Sequence, residues 1–369
     1  MLQKFSVKGF RCFKKKLVFD LTKAHDYEFN SHLIHNGIIS SGIIYGKNGS
    51  GKSCLGFALF DIVGLLTDNH LSKSMLDEAA YINADSSIKY ASFQYEFLFN
   101  NSNVTYSYKK SSPDKIESEI ITVDGKTMLK RTKAKVLFDD KSSLSFPELP
   151  ITMSAVRYIY RNTPLPKNHP IAEIVKFSEK MLWFRSLQGR GYCGYTRGSE
   201  NLIDAIYEME KVNEFQKFLK NVAGINMKLE ISQNSTQGIK TLNIRYGKRT
   251  VDFTKTASTG TQELLLLFYW ITVALDDVNF LYIDEFDAFY HFELAAKIIE
   301  LITKNSNNSS LQAFFTSHNT YLANNEIMRP DCYFILSNGK ITSFAESTER
   351  ELREGHNLEK LLRSGEFGG

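Results

Sequence analysis

The sequence contains little cysteine, with only Cys12, Cys54, Cys193 and Cys332 among its 369 residues. These positions are far apart and form none of the short paired spacings of a zinc site or of a disulfide-rich secreted domain. We therefore expect no thiolate-bound metal, no disulfide framework and a reducing, cytoplasmic location.

The chain also lacks a strong charge of one sign and a long hydrophobic run. Its 45 Lys and Arg residues against 41 Asp and Glu residues leave a net charge of +4, too small to predict binding to nucleic acid or membrane. The most apolar run, 264–275, is shorter than the roughly 18 to 20 residues that span a bilayer. The first residues alternate polar and apolar side chains, unlike a signal peptide. We expect neither membrane insertion nor export.

A hydrophobic content of 43% is enough for a core, and the pattern divides the chain into three parts. Residues 1–125 include a predicted antiparallel set of strands at 89–123. Residues 126–225 begin within a basic loop, 124–141, and continue as a helical insertion. Residues 226–369 alternate strands and helices, which predicts an α/β fold with a largely parallel sheet. Further strands are predicted at 3–8, 16–20, 42–45, 228–231, 242–246, 279–283, 312–316 and 332–336, and helices at 171–184, 201–222, from 262, and 292–304.

Residues 46–53, Gly-Lys-Asn-Gly-Ser-Gly-Lys-Ser, satisfy the P-loop pattern and stand between an apolar strand and a predicted helix. In this pattern backbone amides surround phosphate groups, the lysine neutralises the β and γ phosphates, and the last hydroxyl binds Mg²⁺. ATP and Mg²⁺ are the expected ligands. The residues predicted to contact the nucleotide are Gly46, Lys47, Asn48, Gly49, Ser50, Gly51, Lys52, Ser53 and Cys54, with Lys52 also catalytic and Ser53 also a metal ligand.

Two acidic residues, Asp284 and Glu285, directly follow the apolar strand at 279–283. Where a strand ends, the backbone can turn both carboxylates toward bound phosphates. We expect Asp284 to hold Mg²⁺ and Glu285 to orient and deprotonate the attacking water. The alternative is an acidic cap on a following helix, which its dipole would favour.

Two more segments fit a nucleotide site. His318 follows the apolar strand at 312–316 and is predicted to be catalytic by reaching the γ-phosphate, although strand-end histidines can also be structural. Ser258, Gly260 and Gln262 open an apolar helix and offer a hydroxyl and free amides to an anion. Taken alone, that segment could equally be an ordinary capped helix.

In order along the chain, these four motifs resemble those of the ABC-type ATPases, and most closely the SMC, RecF and OLD branch. More narrowly, FSVKGFRCF at the start, STGTQELL, DEFD and the closing HNLEKLLRSGEFGG resemble the AAA15 and AAA21 ATPases of bacterial antiphage systems. The resemblance implies an α/β fold: an ABC-type P-loop ATPase head with a mixed sheet, an antiparallel β subdomain, a helical insertion and no long coiled coil. Residues 1–125 and 226–369 would be its two lobes.

The resemblance also implies how copies of the chain assemble. Two subunits would form a head-to-tail ATP sandwich, in which Ser258 and Gly260 of one subunit touch the γ-phosphate held by Lys52 of the other. Three other residues acquire expected roles by the same likeness: Arg11 beside the nucleotide, Asp287 between the two sites, and Gln94 as a metal-sensing glutamine.

The chain departs from two related classes of protein. Thr259 and Thr261 differ from the glycine-rich signature of transporters, and no membrane span accompanies them, so transport is not expected. Only 51 residues follow His318, too few for the metal-dependent nuclease that OLD proteins append. Any effector is therefore expected to be a separate chain.

Two segments are candidate partner surfaces. Residues 183–197 combine three arginines with Trp and Tyr, a composition that suits nucleic acid, a protein partner or ordinary loop packing. The five basic residues of 126–135 indicate either a solvated loop or a DNA contact.

The leading hypothesis is an ATP-hydrolysing enzyme whose nucleotide-dependent dimerisation or larger assembly controls a separate nuclease or toxin in antiphage defence. The alternative is a RecF-like or SMC-like DNA repair ATPase that clamps DNA. A third hypothesis, a scaffold that binds ATP without turning it over, is disfavoured by Glu285.

Overall fold

The computed structural model describes residues 1–68, 80–85, 87–138, 148–185, 191–194, 206, 211–233, 240–304 and 311–368. Two seven-stranded sheets contain most of its strands. One sheet is antiparallel, and the other is mixed with a parallel centre. This agrees with the predicted α/β fold with an antiparallel subdomain.

The antiparallel sheet contains strands β1 Leu2–Lys8, β2 Leu17–Asp20, β6 Ala91–Phe99, β7 Ser102–Ser112, β8 Lys115–Val123, β9 Lys126–Thr132 and β10 Lys135–Phe138. Its order is β10-β9-β8-β7-β6-β1-β2. Along β6 the buried side chains of Phe93, Tyr95 and Phe97 alternate with partly exposed ones. This period of two leaves one face on the core and the other toward solvent.

The mixed sheet contains β5 Ser41–Tyr45, β11 Met181–Arg185, β12 Gly191–Gly194, β16 Phe280–Asp284, β17 Gln312–Thr316, β18 Tyr333–Ser337 and β19 Lys340–Ser343. Its order is β12-β11-β16-β17-β5-β18-β19, with the five central strands parallel. Every residue of β5, β16 and β17 is buried. Strands covered on both faces carry such continuous apolar runs.

Two smaller sheets complete the described strands. They contain β3 Ile34–His35 with β4 Ile38–Ile39, and β13 Leu229–Gln233, β14 Lys240–Tyr246 and β15 Arg249–Asp252. The α-helices are α1 Lys52–Leu59, α2 Asp61–Leu66, α3 Ala155–Asn162, α4 Pro170–Glu179, α5 Val212–Asn221, α6 Phe253–Thr256, α7 Thr259–Tyr269, α8 Phe292–Lys304, α9 Phe344–Ser347 and α10 Leu358–Arg363. A π-helical turn, Trp270–Ala274, extends α7. In the part of the chain described, no helix is both long and apolar enough to cross a bilayer.

Helix α1 lies between the two large sheets. On one side Tyr95 of β6 donates its hydroxyl hydrogen to the carbonyl oxygens of Ala58 and Leu59, at 3.0 and 3.1 Å. On the other side a Cβ atom at Gly56 would lie 2.7 Å from the Trp183 ring of β11, so only glycine allows this approach. The helix that follows the P-loop is therefore held from both faces.

Two buried ion pairs support the antiparallel sheet. Asp61 of α2 accepts hydrogen bonds from Lys110 at 3.0 Å and from the hydroxyl of Tyr108 at 2.9 Å. Arg131 of β9 donates to Glu119 of β8 at 2.9 Å, and neither side chain is exposed. Buried charges require such pairing, because removing an ion from water costs several kcal/mol.

The structure corrects the predicted basic loop at 124–141. Residues 126–132 and 135–138 are strands β9 and β10 at the edge of the antiparallel sheet. The predicted boundary at residue 125 falls in the turn between β8 and β9, which are paired strands of one sheet. Lys126, Lys130, Lys133 and Lys135 are exposed, but Arg131 points into the core. The loop prediction is wrong because exposed lysines alternate here with the buried Leu129 and Arg131, which is the pattern of a strand.

The predicted helix at 171–184 is also partly wrong. Helix α4 ends at Glu179, and the following residues form the buried strand β11. A short apolar run such as Met-Leu-Trp-Phe cannot be assigned to helix or strand by periodicity alone. Of the helix predicted at 201–222, α5 covers the end, and residues 201–205 and 207–210 lie outside the described part of the chain.

Candidate functional site

The parallel strands β5, β16 and β17 end at the same edge of the mixed sheet. The P-loop leaves the end of β5, Asp284 and Glu285 lie at the end of β16, and Thr316 ends β17 just before His318. Three segments thus converge at one edge, where ligands bind in parallel α/β sheets, and the P-loop is more than 200 residues from the other two in sequence.

Glycines are required at specific positions of the P-loop. A Cβ atom at Gly46 would lie 2.5 Å from Ser50 Oγ and 2.6 Å from the carbonyl oxygen of Leu336. Gly49 and Gly51 have φ angles of +78° and +105°, which L side chains rarely adopt. The Ser50 hydroxyl is buried and makes no hydrogen bond within the described residues. The loop therefore has the tight curvature and the available polar group that a phosphate ligand would use.

Lys52 is the buried cation of the loop. Its ammonium group donates to the carbonyl oxygens of Gly46 at 2.7 Å and Lys47 at 3.3 Å. Burial lowers the pKa of Lys52, and the negative charges of Asp284, Glu285 and Asp287 oppose that shift. All three predicted carboxylates are thus close enough to act on the ammonium group.

Thr316 joins the ends of β16 and β17. Its hydroxyl donates to Asp284 Oδ1 at 2.7 Å and accepts the backbone N–H of Glu285 at 2.7 Å. Glu285 has a φ angle of +51°, an unfavourable conformation for a residue with a side chain. The turn separates the two consecutive carboxylates: Asp284 is buried, whereas Glu285 is partly exposed. A hydroxyl such as that of Ser53 and a carboxylate such as that of Asp284 are the kinds of oxygen ligand that Mg²⁺ prefers.

A cavity of about 580 Å³ lies beside the P-loop. The P-loop residues 46–50, Ser317 and His318 line it together with the turn between β18 and β19, residues 337–339. The His318 side chain is exposed. The structure therefore brings His318 to the cavity that the P-loop borders.

Arg11 and Cys12 belong to a tight turn after β1 that touches the start of α1. The Arg11 guanidinium lies 4.0 Å from the ring centre of Phe57. Hydrogen bonding with the Cys12 thiol lowers the pKa of Cys54 to about 6. The same contact raises the pKa of Cys12.

The predicted signature residues are outside this cavity. Ser258 caps α7 by accepting the backbone N–H of Thr261 at 3.3 Å, and its side chain is exposed. Gly260 lies against the carbonyl oxygen of Phe289, in the segment after Asp287. Gln262 donates to the carbonyl oxygens of Thr254 and Ala257 at 2.9 and 2.8 Å. Within one chain, none of these three residues lines the P-loop cavity.

Gln94 does not lie at the P-loop. It is on the outer face of β6, where it donates to Glu96 at 2.7 Å and lines a separate cavity of about 270 Å³. Strand alternation explains this, because Phe93 and Tyr95 occupy the inner face. The expectation that Gln94 contacts the metal is not supported by this placement.

On the side of β16 away from β17 the neighbouring strand is β11, whose last residue, Arg185, pairs in register with Asp284. Arg185 is only 8% exposed, and its guanidinium lies 4.9 Å from the ring centre of Phe57. Sequence reasoning missed this neighbour and assigned it to a partner surface. The apolar run before Arg185 was the signal, since it has the length of a buried strand.

The predicted partner surface at 183–197 is corrected in its first residues. Trp183 is fully buried and Phe184 is 7% exposed, so neither can stack on a base. The rest of the assignment concerns Arg190, Tyr192, Tyr195 and Arg197. Their side chains lie outside the described part of the structure.

Three solved structures have similar chains. An SMC head bound to the C-winged helix domain of ScpA has a TM-score of 0.48 and 14% identity, covering 93% of this chain and 97% of that one. The SMC head domain from Thermotoga maritima has a TM-score of 0.45 and 16% identity, with the same coverage. An SMC head with an extended coiled coil from Pyrococcus furiosus, bound to the C-terminal domain of ScpA, has a TM-score of 0.42 and 14% identity, covering 98% of each chain.

No curated protein sequence matches the chain significantly. A family match, by contrast, spans residues 43–324, more than half of the chain. It begins in strand β5 and includes the P-loop, Asp284, Glu285 and His318. The protein therefore belongs to the AAA_21 family, described as AAA domain, putative AbiEii toxin, Type IV TA system.

Proposed function

We propose that this protein binds ATP together with Mg²⁺ and hydrolyses ATP to ADP and phosphate. The observation that carries the proposal is the convergence of Lys52, Asp284 and Glu285 at one sheet edge. A buried lysine at the start of a helix, opposite two carboxylates, suits a polyphosphate and a divalent cation. Membership of the AAA_21 family supports the same chemistry.

Each residue has one role in this proposal. The amides of the P-loop surround the phosphates, and Lys52 exchanges its two carbonyl contacts for phosphate oxygens. Ser53 and Asp284 would hold Mg²⁺, which when bound neutralises charge on the phosphate groups. Glu285 orients a water molecule and accepts its proton, and His318 donates a hydrogen bond to the γ-phosphate. Thr316 keeps the Asp284 carboxylate and the Glu285 backbone in position.

The proposed active form is a head-to-tail dimer or a larger assembly built from it. Ser258 and Gly260 lie at the exposed start of α7, outside the cavity of their own chain. Free amides at a helix N-terminus favour an anion. A second subunit would therefore place these residues against the γ-phosphate held by Lys52.

A mixing experiment tests the shared site. Lys52→Ala and Ser258→Arg should each be inactive alone, because each destroys both sites of its own dimer. In a mixed dimer one site combines both changes and the other has neither. Equal mixing should therefore restore up to about a quarter of wild-type turnover, if subunits exchange freely in a twofold dimer. Continued inactivity after exchange, verified by tagged subunits, would contradict a shared site.

The assembly is proposed to control a separate effector, a nuclease or toxin, in antiphage defence. The family description, which names a toxin and a toxin–antitoxin system, supports defence over DNA repair. Cells carrying the gene with its neighbours should resist phage, and Lys52→Ala should remove the resistance. Unchanged plaque counts together with tight, salt-sensitive duplex binding by the purified protein would instead favour the repair ATPase.

A further inference from the structure

The cavity of about 270 Å³ lies on the outer face of the antiparallel sheet. Three lysines, Lys8, Lys16 and Lys109, line it, and none of the described residues that line it is acidic. It shares no lining residue with the P-loop cavity. Helix α1 packs against the opposite face of β6, where it accepts the hydroxyl hydrogen of Tyr95. This outer cavity is therefore separate from the proposed ATP site.

Strand register places two of the lysines on either side of a serine. Lys8 of β1 pairs with Ser92 of β6, and Ser92 pairs with Lys109 of β7. Neighbouring strands are about 4.8 Å apart, so the two lysines start roughly 10 Å from each other with the short serine between them. The Lys109 ammonium group lies 4.7 Å from the ring centre of Tyr90, a cation–π contact. The result is a low floor between two cationic side chains.

A second row of short polar side chains lies beside the first. Ser6 pairs with Gln94, and Gln94 pairs with Ser107. Each of these residues is two positions along its strand from a member of the first row, so their side chains share one face of the sheet. All three line the outer cavity. The cavity therefore presents serine hydroxyls next to the lysines.

The positive charges of the outer cavity are close together. Lys8 and Lys16 follow the Val7–Leu17 pair on the two antiparallel strands and so lie opposite each other. Like charges opposite each other across strands destabilise a sheet. Lys8, Lys16 and Lys109 are all exposed, and none of them forms an ion pair with a described residue. An anion bound among them would relieve their repulsion.

Two acidic residues near the outer cavity have partners of their own. Glu96 accepts a hydrogen bond from Gln94 at 2.7 Å and pairs in register with Lys4, in the next row of the sheet. Glu117 accepts a hydrogen bond from the Ser111 hydroxyl at 2.6 Å. Neither glutamate lines the cavity, which keeps its positive character.

We propose that the outer cavity binds a compact phosphate group, either inorganic phosphate or the phosphate end of a small molecule. A phosphate monoester carries a charge of about −1.5 to −2 near neutral pH and offers three acceptor oxygens. The three ammonium groups match its charge, and lysine and serine side chains donate hydrogen bonds to its oxygens. The cavity is smaller than the roughly 300 to 1,000 Å³ of sites for drug-sized ligands, which favours a small anion.

The test measures binding of inorganic phosphate and of methyl phosphate to the full-length protein by isothermal titration calorimetry. Every protein carries Lys52→Ala, so that the P-loop contributes little heat, and ionic strength is constant because salt screens the lysines. We expect saturable binding whose Kd rises at least about tenfold in Lys8→Gln and in Lys109→Gln. Lys130→Gln, an exposed change on the same sheet outside the cavity, is the matched control and should not alter the Kd.

Ser92→Leu distinguishes a shaped site from general attraction to positive charge. The leucine fills the floor between Lys8 and Lys109 but leaves the net charge unchanged. We expect it to weaken phosphate binding as much as either lysine change does, with thermal unfolding used to verify that the variant is folded. Unchanged affinity in Ser92→Leu, or in both lysine variants, would overturn the proposal, as would the absence of heat with both phosphate probes.

The two probes distinguish the sources of the phosphate group. Similar affinities for both would assign the phosphate end of a small molecule, whereas binding of inorganic phosphate alone would assign the free anion. If neither probe binds while a fluorescent DNA duplex binds through Lys8 and Lys109, the cavity is a nucleic-acid contact and the proposal is wrong. Since these measurements do not involve ATP, they decide the outer cavity independently of the proposed ATPase function.

Discussion

At the scale of single residues, the candidate site contains a buried charge and a strained backbone, and both reduce the free energy of unfolding. Lys52 is a buried ammonium ion that hydrogen-bonds carbonyl oxygens of its own loop. Glu285 keeps a left-handed backbone at the end of β16. Strain and buried charge of this kind cluster at functional sites.

Lys52→Ala tests the phosphate contact. Without the ammonium group the β and γ phosphates lose a charge-assisted hydrogen-bonding partner, each such bond contributing about 1.5–3 kcal/mol. We expect the Kd for ATP to rise by roughly one to two orders of magnitude or more, measured by titration with a fluorescent ATP analogue. Lys126→Ala, an exposed change on β9, is the matched control. Wild-type affinity in the Lys52→Ala protein would count against the site.

Glu285→Gln tests the proposed base. The amide has nearly the same shape as the carboxylate but cannot accept the proton of the attacking water. We expect ATP binding to persist and hydrolysis to slow by about 10² to 10⁴-fold in single-turnover measurements. Glu293→Gln, at the exposed start of α8, should hydrolyse ATP normally. Normal turnover by the Glu285→Gln protein would contradict the role of Glu285.

At the scale of elements, the geometry of the site depends on how neighbouring strands are joined at their ends. β16 supplies both carboxylates, and β17 supplies the Thr316 hydroxyl that bonds to the Asp284 side chain and the Glu285 backbone. Helix α1 is positioned against the same strands by the contact of Tyr282 with Lys52 O. Register between parallel strands therefore determines which side chains meet.

Thr316→Val tests whether the Thr316 hydroxyl positions the two carboxylates at the end of β16. Valine has nearly the shape of threonine but leaves the Asp284 oxygen and the Glu285 amide without their partner. We expect a loss of about 1–3 kcal/mol in unfolding free energy and a clear fall in kcat. Thr316→Ser, which keeps the hydroxyl, should retain most activity. Denaturant unfolding and steady-state ATPase assays measure the two effects, and full activity of Thr316→Val would refute the positioning role.

At the scale of the whole molecule, one chain contains all the proposed motifs but does not bring them all together. The start of α7 is exposed and does not line the P-loop cavity of its own chain. The proposed head-to-tail arrangement would supply this helix from a second copy. ATP at such an interface would stabilise the assembly by mass action.

The Glu285→Gln protein should accumulate as a dimer or larger assembly with Mg-ATP, because the bound nucleotide is not consumed. Size-exclusion chromatography with light scattering measures the mass with and without nucleotide. Adding Ser258→Arg should block this assembly while each monomer still binds ATP, since Ser258 does not line its own cavity. Assembly of the double variant to the same extent would contradict the head-to-tail arrangement.

The sequence by itself determined the P-loop, the strand ending in Asp284 and Glu285, and the alternating strands of the antiparallel subdomain. Local rules are sufficient for these features, because phosphate loops need glycine at particular positions and a half-buried strand needs period-two alternation. The same rules failed at 126–135, where exposed lysines concealed an edge strand, and at 181–185, where an apolar strand was taken for the end of a helix.

Only the tertiary structure decided which distant residues are neighbours. Strand order places Arg185 beside Asp284 and directs Gln94 to the outer face. These outcomes depend on register and on packing between segments, which no local pattern encodes. The chemistry of the P-loop could thus be read from eight consecutive residues, whereas Arg185 is beside Asp284 only because β11 and β16 pair in the fold.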